Sequence, residues 1–492
     1  MKEFLLLLPE IFLAITFVGI IAGEIGYHGE RLRLVTATAL VGLGSALIQA
    51  FLTYRLGINQ LFGRALTIDG LSYFFKMFFI LLAILAVISS TQTREISRRR
   101  HAEYCALIIA STLAMCLASS AADILLIFLS FQFMNVLAYF LAAFGKKSIL
   151  STEAGAKYMI FGTVSGALLL YGGAILFSYT HSLNIYDMHQ ALMTAQMPRN
   201  TVMVIFMMIF LSLTAQVAAF PMHLWMPDVI EGAPTPASAF LSLGPRAAGF
   251  AVAIRLLISV FAQPDSVEGQ WKILEGLDWT RIVAEIAGIT MLVGSLMAFR
   301  QTAAKRMVSY LVIAEGGFLL MGLLVLDEGG VVALLYNLMI DLFAVMGTTF
   351  VLSFLYDELG SDKLKDLSGM LGRAVPECLS LILFLACLVG LPPFPGFLGK
   401  FTLVGAAVRH QRYSLALMAI ASMAFGTVAV ARLAYSLVGD FKHPVKTRLK
   451  GLAPSAARRI FLLGLFVPVA MLGAFANLIL GWAGQSLRFI FW

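Results

Sequence analysis

The chain has 492 residues, of which 60% are hydrophobic and only 13% are charged, and its mean hydropathy is +0.90. Soluble domains carry about a quarter charged residues and about half apolar ones, so this composition excludes an ordinary soluble protein. The net charge of +8 does not indicate a nucleic-acid partner, because the sequence lacks the basic, aromatic-interleaved stripe of a nucleic-acid groove. The apolar excess predicts an all-α polytopic membrane protein whose surface contacts the lipid bilayer.

Apolar runs long enough to cross a bilayer, roughly 17–25 residues, recur along the whole chain. We count about fourteen by this criterion. They are Phe4–Ala22, Leu34–Phe51, Ile68–Ser90, Ala102–Leu117, Ile124–Phe144, Tyr158–Tyr179, Val202–Ala219, Ala237–Ala262, Ile282–Phe299, Met307–Leu326, Val331–Leu355, Pro376–Val408, Ser414–Val438 and Ile460–Leu480. The first run carries Pro9 and Glu10 and lacks a clear cleavage site, which favours a retained span over a signal peptide.

Basic residues concentrate in the loops that follow odd-numbered spans. They are Arg94, Arg98, Arg99, Arg100, Lys146, Lys147, Arg300, Lys305, Arg306, Lys442, Lys446, Arg448, Lys450, Arg458 and Arg459. The loops after even-numbered spans are neutral or acidic, for example at Asp327 and Glu328. Because cytoplasmic loops are enriched in Lys and Arg, we expect both termini on the non-cytoplasmic face of a bacterial-type inner (plasma) membrane.

Two spans are interrupted by prolines. The seventh runs into Phe220-Pro221 and then the stretch HLWMPDVIEGAPTP, and the twelfth contains LPPFPG at residues 391–396. Irregular backbone at membrane depth is tolerated against protein or a water-filled cavity. Breaks at corresponding places favour two inverted repeats whose discontinuous helices line an ion path over two unrelated proline kinks. We therefore expect an N-terminal three-helix segment (1–101), five-helix repeats at 102–262 and 281–440, and a C-terminal helix (441–492).

Four ionisable residues lie near the middle of their spans: Arg246, Glu315, Asp341 and Lys400. A charge at this depth is costly and indicates a functional site. Glu315, Asp341 and Lys400 are interpreted as a buried row of acids and a base, which suits a proton relay. The alternative is a fixed Glu315–Lys400 ion pair that braces two helices. Arg246 does not deprotonate in proteins, so it biases neighbouring protons without carrying one.

Three other charged residues have a structural interpretation. Arg255 and Glu285 lie nearer the ends of their spans, where we expect a long side chain to snorkel or an acid to reach the lipid headgroups. Asp123 opens the fifth span, and an acid suits a helix N-terminus because of the helix dipole.

The sequence indicates no cofactor site in this chain. Cys105, Cys116, Cys378 and Cys387 all lie inside apolar stretches and form no CxxC pair. Zinc and iron–sulfur sites need clustered thiolates. We therefore expect four buried cysteines that act as small apolar residues, and neither a metal nor a redox centre.

Several motifs together resemble the antiporter-like subunit N family of respiratory complex I, the proton-pumping NADH:quinone oxidoreductase. They are Pro9-Glu10, KYMIFG at 157–162, FPMHLWMPDVIEGAPTPASAFLSLGPRAAGF at 220–250, QTAAKRMVSYLVIAEGGFLLMGL at 301–323 and GLPPFPGFLGKF at 390–401. The resemblance covers nearly the whole chain. It implies two inverted five-helix repeats with broken helices seven and twelve, in a membrane arm built from several such subunits.

In this family, proton transfer is attributed to a glutamate in the fifth helix and to lysines in the seventh, eighth and twelfth. Lys400 matches the twelfth-helix lysine, whereas Gln132, Gln216 and Arg246 stand at the other three positions. Glutamine has no proton to exchange, and arginine keeps its charge permanently. The resemblance therefore predicts an impaired first half-channel.

The second half departs from the family pattern in the opposite direction. Glu315 stands where a histidine is common, and Asp341 replaces a small polar residue. The inverted repeat makes Glu315 and Lys400 the counterparts of the missing glutamate–lysine pair, so coupling is expected through the second half. The resemblance implies a membrane-arm subunit of a proton-translocating NADH-quinone oxidoreductase, with NADH, flavin, iron–sulfur clusters and quinone in partner subunits. The alternatives are a non-pumping structural spacer, or a subunit of a cation/proton antiporter or membrane-bound hydrogenase.

Overall fold

The computed structural model describes residues 2–26, 31–54, 57–146, 148–194, 197–265, 269–274, 278–439 and 456–487. Lys147 and the basic residues Lys442, Lys446, Arg448 and Lys450 lie outside these ranges. Thirteen of the described helices are long and apolar enough to cross a membrane. The remaining predicted span, the twelfth, is divided into two shorter helices. The prediction of an all-α membrane protein with about fourteen spans is therefore confirmed.

The N-terminal segment consists of helices and one antiparallel hairpin. Its elements are α1 (Lys2–Leu6), α2 (Leu8–Gly26), α3 (Arg31–Thr53), β1 (Asn59–Leu61), β2 (Leu66–Ile68) and α4 (Gly70–Thr91). Asp69 caps α4 by accepting the Ser72 backbone N–H, and the Ser72 hydroxyl in turn accepts the Asp69 N–H. This capping box satisfies two backbone donors at the start of the span.

Two five-span units follow in chain order. The first contains α5 (His101–Ser120), α6 (Ile124–Ala142), α7 (Ile149–Thr180), the short α8 (Ile185–Thr194), α9 (Arg199–Val217), α10 (Trp225–Gly232) and α11 (Thr235–Phe261). A hairpin of β3 (Ala262–Pro264) and β4 (Trp271–Ile273) leads to the second. The second contains α12 (Trp279–Arg300), α13 (Ala304–Leu324), α14 (Glu328–Leu359), α15 (Val375–Val389), α16 (Pro395–Arg409) and α17 (Tyr413–Val438), and α18 (Ala456–Ala474) and α19 (Ala476–Leu487) end the described chain.

The two units repeat the same plan. In both, the third span is a helix of 32 residues, α7 or α14, the fourth is broken, and the fifth has 27 or 26 residues, α11 or α17. An isolated bridge pairs Asp123 with Asn184 in the first unit and Ala303 with Lys363 in the second. Because each unit has an odd number of spans, the second starts from the opposite face of the membrane and is inverted.

Both broken spans lose their helix at residues that cannot continue it. The first, α9, ends at Val217 and is followed by left-handed Ala218 and by Pro221 before α10 begins. The second, α15, ends at Val389 and is followed by Gly390, which has a φ of +82°. Three prolines between residues 392 and 395 then remove backbone donors.

The helices differ in how much of their surface the protein itself covers. In α11, α13 and α14, 94% of the apolar window is buried, whereas the corresponding share is 28% in α2, α3 and α18. The first group therefore forms the centre of the bundle, and the second group exposes most of its apolar residues at the perimeter. Charged side chains on the central helices are held away from lipid.

Candidate proton-transfer site

The four mid-span charges predicted from the sequence are all buried in the bundle. Arg246 on α11, Glu315 on α13, Asp341 on α14 and Lys400 on α16 are each at most 3% exposed. Three of these helices are the central ones, and α16 is the second half of the broken twelfth span. None of the four side chains lies on the lipid-facing perimeter.

Arg246 and Asp341 form an ion pair that joins the two units. The distance from Arg246 Nη2 to Asp341 Oδ2 is 2.6 Å. The other terminal nitrogen, Nη1, donates to the Val312 carbonyl on α13 at 3.0 Å. Arginine's rigid fork therefore holds one helix of the first unit to two helices of the second.

Lys400 and Glu315 form the second ion pair, and it lies within the second unit. The ammonium also donates to the Leu388 carbonyl at 2.6 Å. Leu388 is in the last turn of α15, where carbonyls have no helical donor, and the residue four positions later is Pro392, which has no N–H. The helix break therefore provides an acceptor for Lys400, and the negative end of the α15 dipole favours its charge.

The two pairs form one continuous group, which we call the buried charge row (Arg246, Asp341, Glu315 and Lys400). Val312, the carbonyl partner of Arg246, precedes Glu315 by one turn of α13. Glu315 interacts electrostatically with Asp341 and Arg246 as well as with Lys400. Because the dielectric constant is low at this depth, a change in the charge of any one member alters the electrostatic energy of the others.

The first unit has neutral amides at the positions where the family resemblance implies titratable groups. Gln132 on α6 is half-buried against Gly166 and accepts a hydrogen bond from the Asn135 amide at 3.4 Å. Gln216 is 3% exposed at the end of α9. The match between the units is not residue for residue, because Gln216 precedes its helix break whereas Lys400 follows its own.

Sequence reasoning missed two further buried ion pairs. Lys76 on α4 lies 2.7 Å from Glu10 on α2, and Arg255 on α11 lies 2.6 Å from Asp69, with side chains at most 6% exposed. The expectation that Arg255 snorkels to the headgroups is wrong, because it is fully enclosed and its Nε donates to the Ser119 carbonyl at 2.8 Å. A signal existed for Lys76, which stands between aromatic residues in the run FFKMFF.

The other two structural interpretations hold. Asp123 caps α6 by accepting the backbone N–H groups of Leu125 and Leu126 at 2.9 and 3.1 Å. The Glu285 side chain is 66% exposed beside Arg281. Both acids therefore have the helix-end and surface positions that their places in the sequence predicted.

Three motifs that carry the family resemblance meet in a second polar cluster. Asp228 on α10 accepts from Lys157 on α7 at 2.5 Å and from Arg306 on α13 at 2.7 Å. Burial raises the pKa of Asp228, but the hydrogen bonds from the two cations outweigh it and hold this pKa below its ordinary value. The short helix after the seventh-span break is thus tied to both units.

The four cysteines are free and buried, as expected. Within the ranges that the structure describes, no group of three or more His, Cys, Asp or Glu side chains is placed to hold a metal ion.

Two inverted five-span units, each with a broken fourth span and with buried charges at the second break, define an antiporter-like membrane subunit. A family model described as NADH:quinone oxidoreductase/Mrp antiporter, TM, matches residues 121–426. The chain belongs to this family.

Curated relatives are subunits of NADH-quinone oxidoreductase. Subunit N of Chlorobium chlorochromatii (strain CaD3) is 32% identical over 404 residues, which are 82% of this chain and 78% of the relative. Subunit N of Anaeromyxobacter sp. (strain Fw109-5) is 35% identical over 383 residues, 76% of this chain and 74% of the relative. The resemblance inferred from the motifs is therefore confirmed.

Solved structures share the fold at lower identity. A chain of respiratory complex I from Thermus thermophilus has a TM-score of 0.78 at 24% identity, covering 96% of this chain and 99% of its own. A chain of the Mrp complex from Dietzia sp. DQ12-45-1b has a TM-score of 0.82 at 18% identity, covering 97% and 96%. The predicted inverted-repeat architecture is therefore the fold of this chain.

Proposed function

We propose that the chain is a membrane-arm subunit of a complex I-like NADH-quinone oxidoreductase and takes part in redox-coupled proton translocation. The observation that carries the proposal is the buried charge row, in which two acids and a lysine lie together at membrane depth beside a helix break. NADH, flavin, iron–sulfur clusters and quinone belong to partner subunits, and other membrane-arm subunits are the direct neighbours. This chain moves protons and performs no redox chemistry.

The chemistry that we assign to the row is a short-range proton exchange. A proton that moves from the Lys400 ammonium to the Glu315 carboxylate along their hydrogen bond converts an ion pair into a neutral pair. The field of Asp341 opposes the ionised form of Glu315, and the permanent charge of Arg246 offsets that field. A partner subunit that changes the Arg246–Asp341 contact would therefore change whether the ion pair or the neutral pair of Lys400 and Glu315 is favoured.

We assign coupling to the second unit and an impaired half-channel to the first. Gln132 and Gln216 retain hydrogen-bonding capacity but exchange no proton in the physiological range. Arg246, the third substituted position, is committed to Asp341. The first unit therefore contributes a fixed charge to the row and no titratable group of its own.

The test is a matched pair of substitutions in the intact assembly, Lys400→Met and Gln216→Met. Both replace a buried polar side chain beside a helix break by the same apolar one. We expect Lys400→Met to lower the number of protons taken up per NADH oxidised, and Gln216→Met to leave this ratio within experimental error. Equal effects at the two positions would contradict the assignment.

A structural spacer is the second candidate, and the observation in its favour is that every member of the row already has an oppositely charged partner. For a brace, Lys400→Met should shorten the thermal half-life of the assembly while the proton-to-electron ratio stays unchanged. For a relay, the proton-to-electron ratio should fall, whatever the effect on the thermal half-life. Identification of the co-purifying subunits separates a complex I-like assembly from a cation/proton antiporter or a membrane-bound hydrogenase.

Both termini are assigned to the non-cytoplasmic face of a bacterial-type inner membrane. The support is the basic character of the loops after odd-numbered spans. Arg99 lies between α4 and α5 and Arg281 lies in the first turn of α12; both are exposed, and they are assigned to opposite faces. In whole cells, an impermeant maleimide should label Arg281→Cys and leave Arg99→Cys unlabelled; the reverse result would invert the topology.

A further inference from the structure

A cavity of about 310 Å³ opens where three helices end at one surface of the bundle. Its walls come from the start of α3, the end of α4 with the loop that follows, and the start of α5. The lining residues are Leu32, Ser90, Thr91, Gln92, Thr93, Arg94, Ile96, Ser97, Arg98 and His101. This volume falls within the range of small-ligand sites.

The cavity is rich in cationic groups. Arg94 and Arg98 are exposed, and neither side chain has a carboxylate partner among the residues that the structure describes. A third cation, Arg458 on α18, donates to the carbonyl of the lining residue Gln92 at 3.3 Å. Two unpaired guanidinium groups beside one concave surface favour an anionic occupant with several acceptor oxygens.

The neighbouring acids are already engaged by other groups. Asp357 accepts the Arg94 backbone N–H at 3.1 Å, and Glu95 accepts from the Thr235 hydroxyl at 2.5 Å and lies 3.7 Å from Lys305. These contacts fix the loop backbone and occupy oxygens of both carboxylates. The arginine side chains therefore remain available to a ligand.

The position of the cavity favours a lipid over a dissolved ion. It lies at the ends of membrane-spanning helices, which is the level of the lipid headgroups. An anionic headgroup at this level can be bound by the two arginines while its acyl chains remain in the bilayer.

We propose that this cavity binds the phosphate-bearing headgroup of an anionic phospholipid, held by Arg94 and Arg98. Juxtamembrane cations attract anionic lipid with about 1 kcal/mol each, which is roughly a fivefold preference per arginine. The site does not depend on proton transfer in the buried charge row. It gives the assembly a contact with one class of membrane lipid.

The experiment uses the intact assembly in vesicles with photoactivatable phosphatidylglycerol or phosphatidylcholine. Labelled peptides of this chain are identified by mass spectrometry. In the unaltered protein we expect phosphatidylglycerol to label peptides containing residues 32–36 or 90–101 in preference to phosphatidylcholine. Arg94→Gln together with Arg98→Gln should lower that preference at least tenfold, and the double lysine variant should retain most of it. No preference in the unaltered protein, as expected if a neighbouring subunit fills the cavity, would overturn the proposal.

Arg99→Gln is the matched control, because Arg99 belongs to the same loop and is exposed but does not line the cavity. It should change the preference by at most about fivefold, the general effect of one juxtamembrane cation, and a loss equal to that of the double variant would overturn the proposal. Displacement of the lipid probe by inorganic phosphate, beyond that by chloride at equal ionic strength, would identify free phosphate as the ligand instead. If the glutamine variants do not assemble, salt titration of the unaltered assembly decides: a preference that does not fall with ionic strength refutes the arginine contact.

Discussion

The Arg246–Asp341 pair allows a quantitative test of how the two units are joined. Asp341→Asn would leave the Arg246 guanidinium charged and buried at 1% exposure, with the neutral Val312 carbonyl as its remaining named acceptor. Removing one partner of a buried ion pair costs about 3–5 kcal/mol, because the other charge stays uncompensated. Arg246→Met leaves the Asp341 carboxylate buried without its cationic partner. We expect a similar or smaller loss in the free energy of unfolding, because an aspartate can take up a proton.

The double variant should recover most of this loss. Replacing a buried pair by apolar or neutral groups of similar volume is often nearly neutral, so Arg246→Met with Asp341→Asn should cost less than either single change. The coupling free energy from the cycle should then be at least 3 kcal/mol, about a hundredfold in the unfolding equilibrium. The assay is denaturant unfolding of the chain in mixed micelles. Additive single and double effects would show that the pair does not hold the units together.

Two further predictions test the helix break and the polar cluster around Asp228. Gly390→Ala should destabilise the fold by about 1–2 kcal/mol for the left-handed backbone alone. It should also lower proton uptake, because the new methyl group would lie 2.7 Å from Lys400 Cδ. Gly405→Ala is the neutral control in both assays, because Gly405 has open space around it. The depressed pKa of Asp228 in the fold means that its stabilising effect is present above the ordinary aspartate pKa of about 3.9 and is lost as pH falls through the folded value. Asp228→Asn should therefore reduce thermal stability at neutral pH but not at the acidic end of the titration, and a pH-independent difference would refute the charge argument.

The sequence predicted the architecture because membrane composition limits the alternatives. Apolar runs of bilayer length, prolines and loop charges each depend on local sequence, so they located the spans and both breaks before any contact was known. The small errors in the predicted bounds of the first and last spans have local causes. The first span begins at Leu8 and not Phe4 because Pro9 suits the first turn of a helix, and the last predicted span is divided at Phe475 between α18 and α19.

The pairing of the charges was less predictable than their depth. Glu315 with Lys400 was expected from the repeat, but Arg246 was assigned to the first unit and its contact with Asp341 across the two units was not anticipated. The pairing of Arg255 with Asp69 was also not predictable. The β1–β2 hairpin positions Asp69, and the sequence periodicity around either residue does not indicate this tertiary contact. Residue depth is set by one helix, whereas ion pairing depends on how several helices pack.

The cross-unit pair changes how the first-unit substitutions are interpreted. A lysine at position 246 would present a point charge on a flexible chain, with no fork to hold Asp341 and the Val312 carbonyl together. Arginine makes both contacts and keeps its charge, so it can replace a titratable group and also fix the electrostatic field at Glu315. Loss of titration in the first unit and gain of Asp341 in the second are then two parts of one arrangement. The Arg246→Lys variant tests this: we expect the charge to be retained, the structural coupling to Asp341 to fall, and proton uptake per NADH to decrease, whereas unchanged uptake would show that the charge alone suffices.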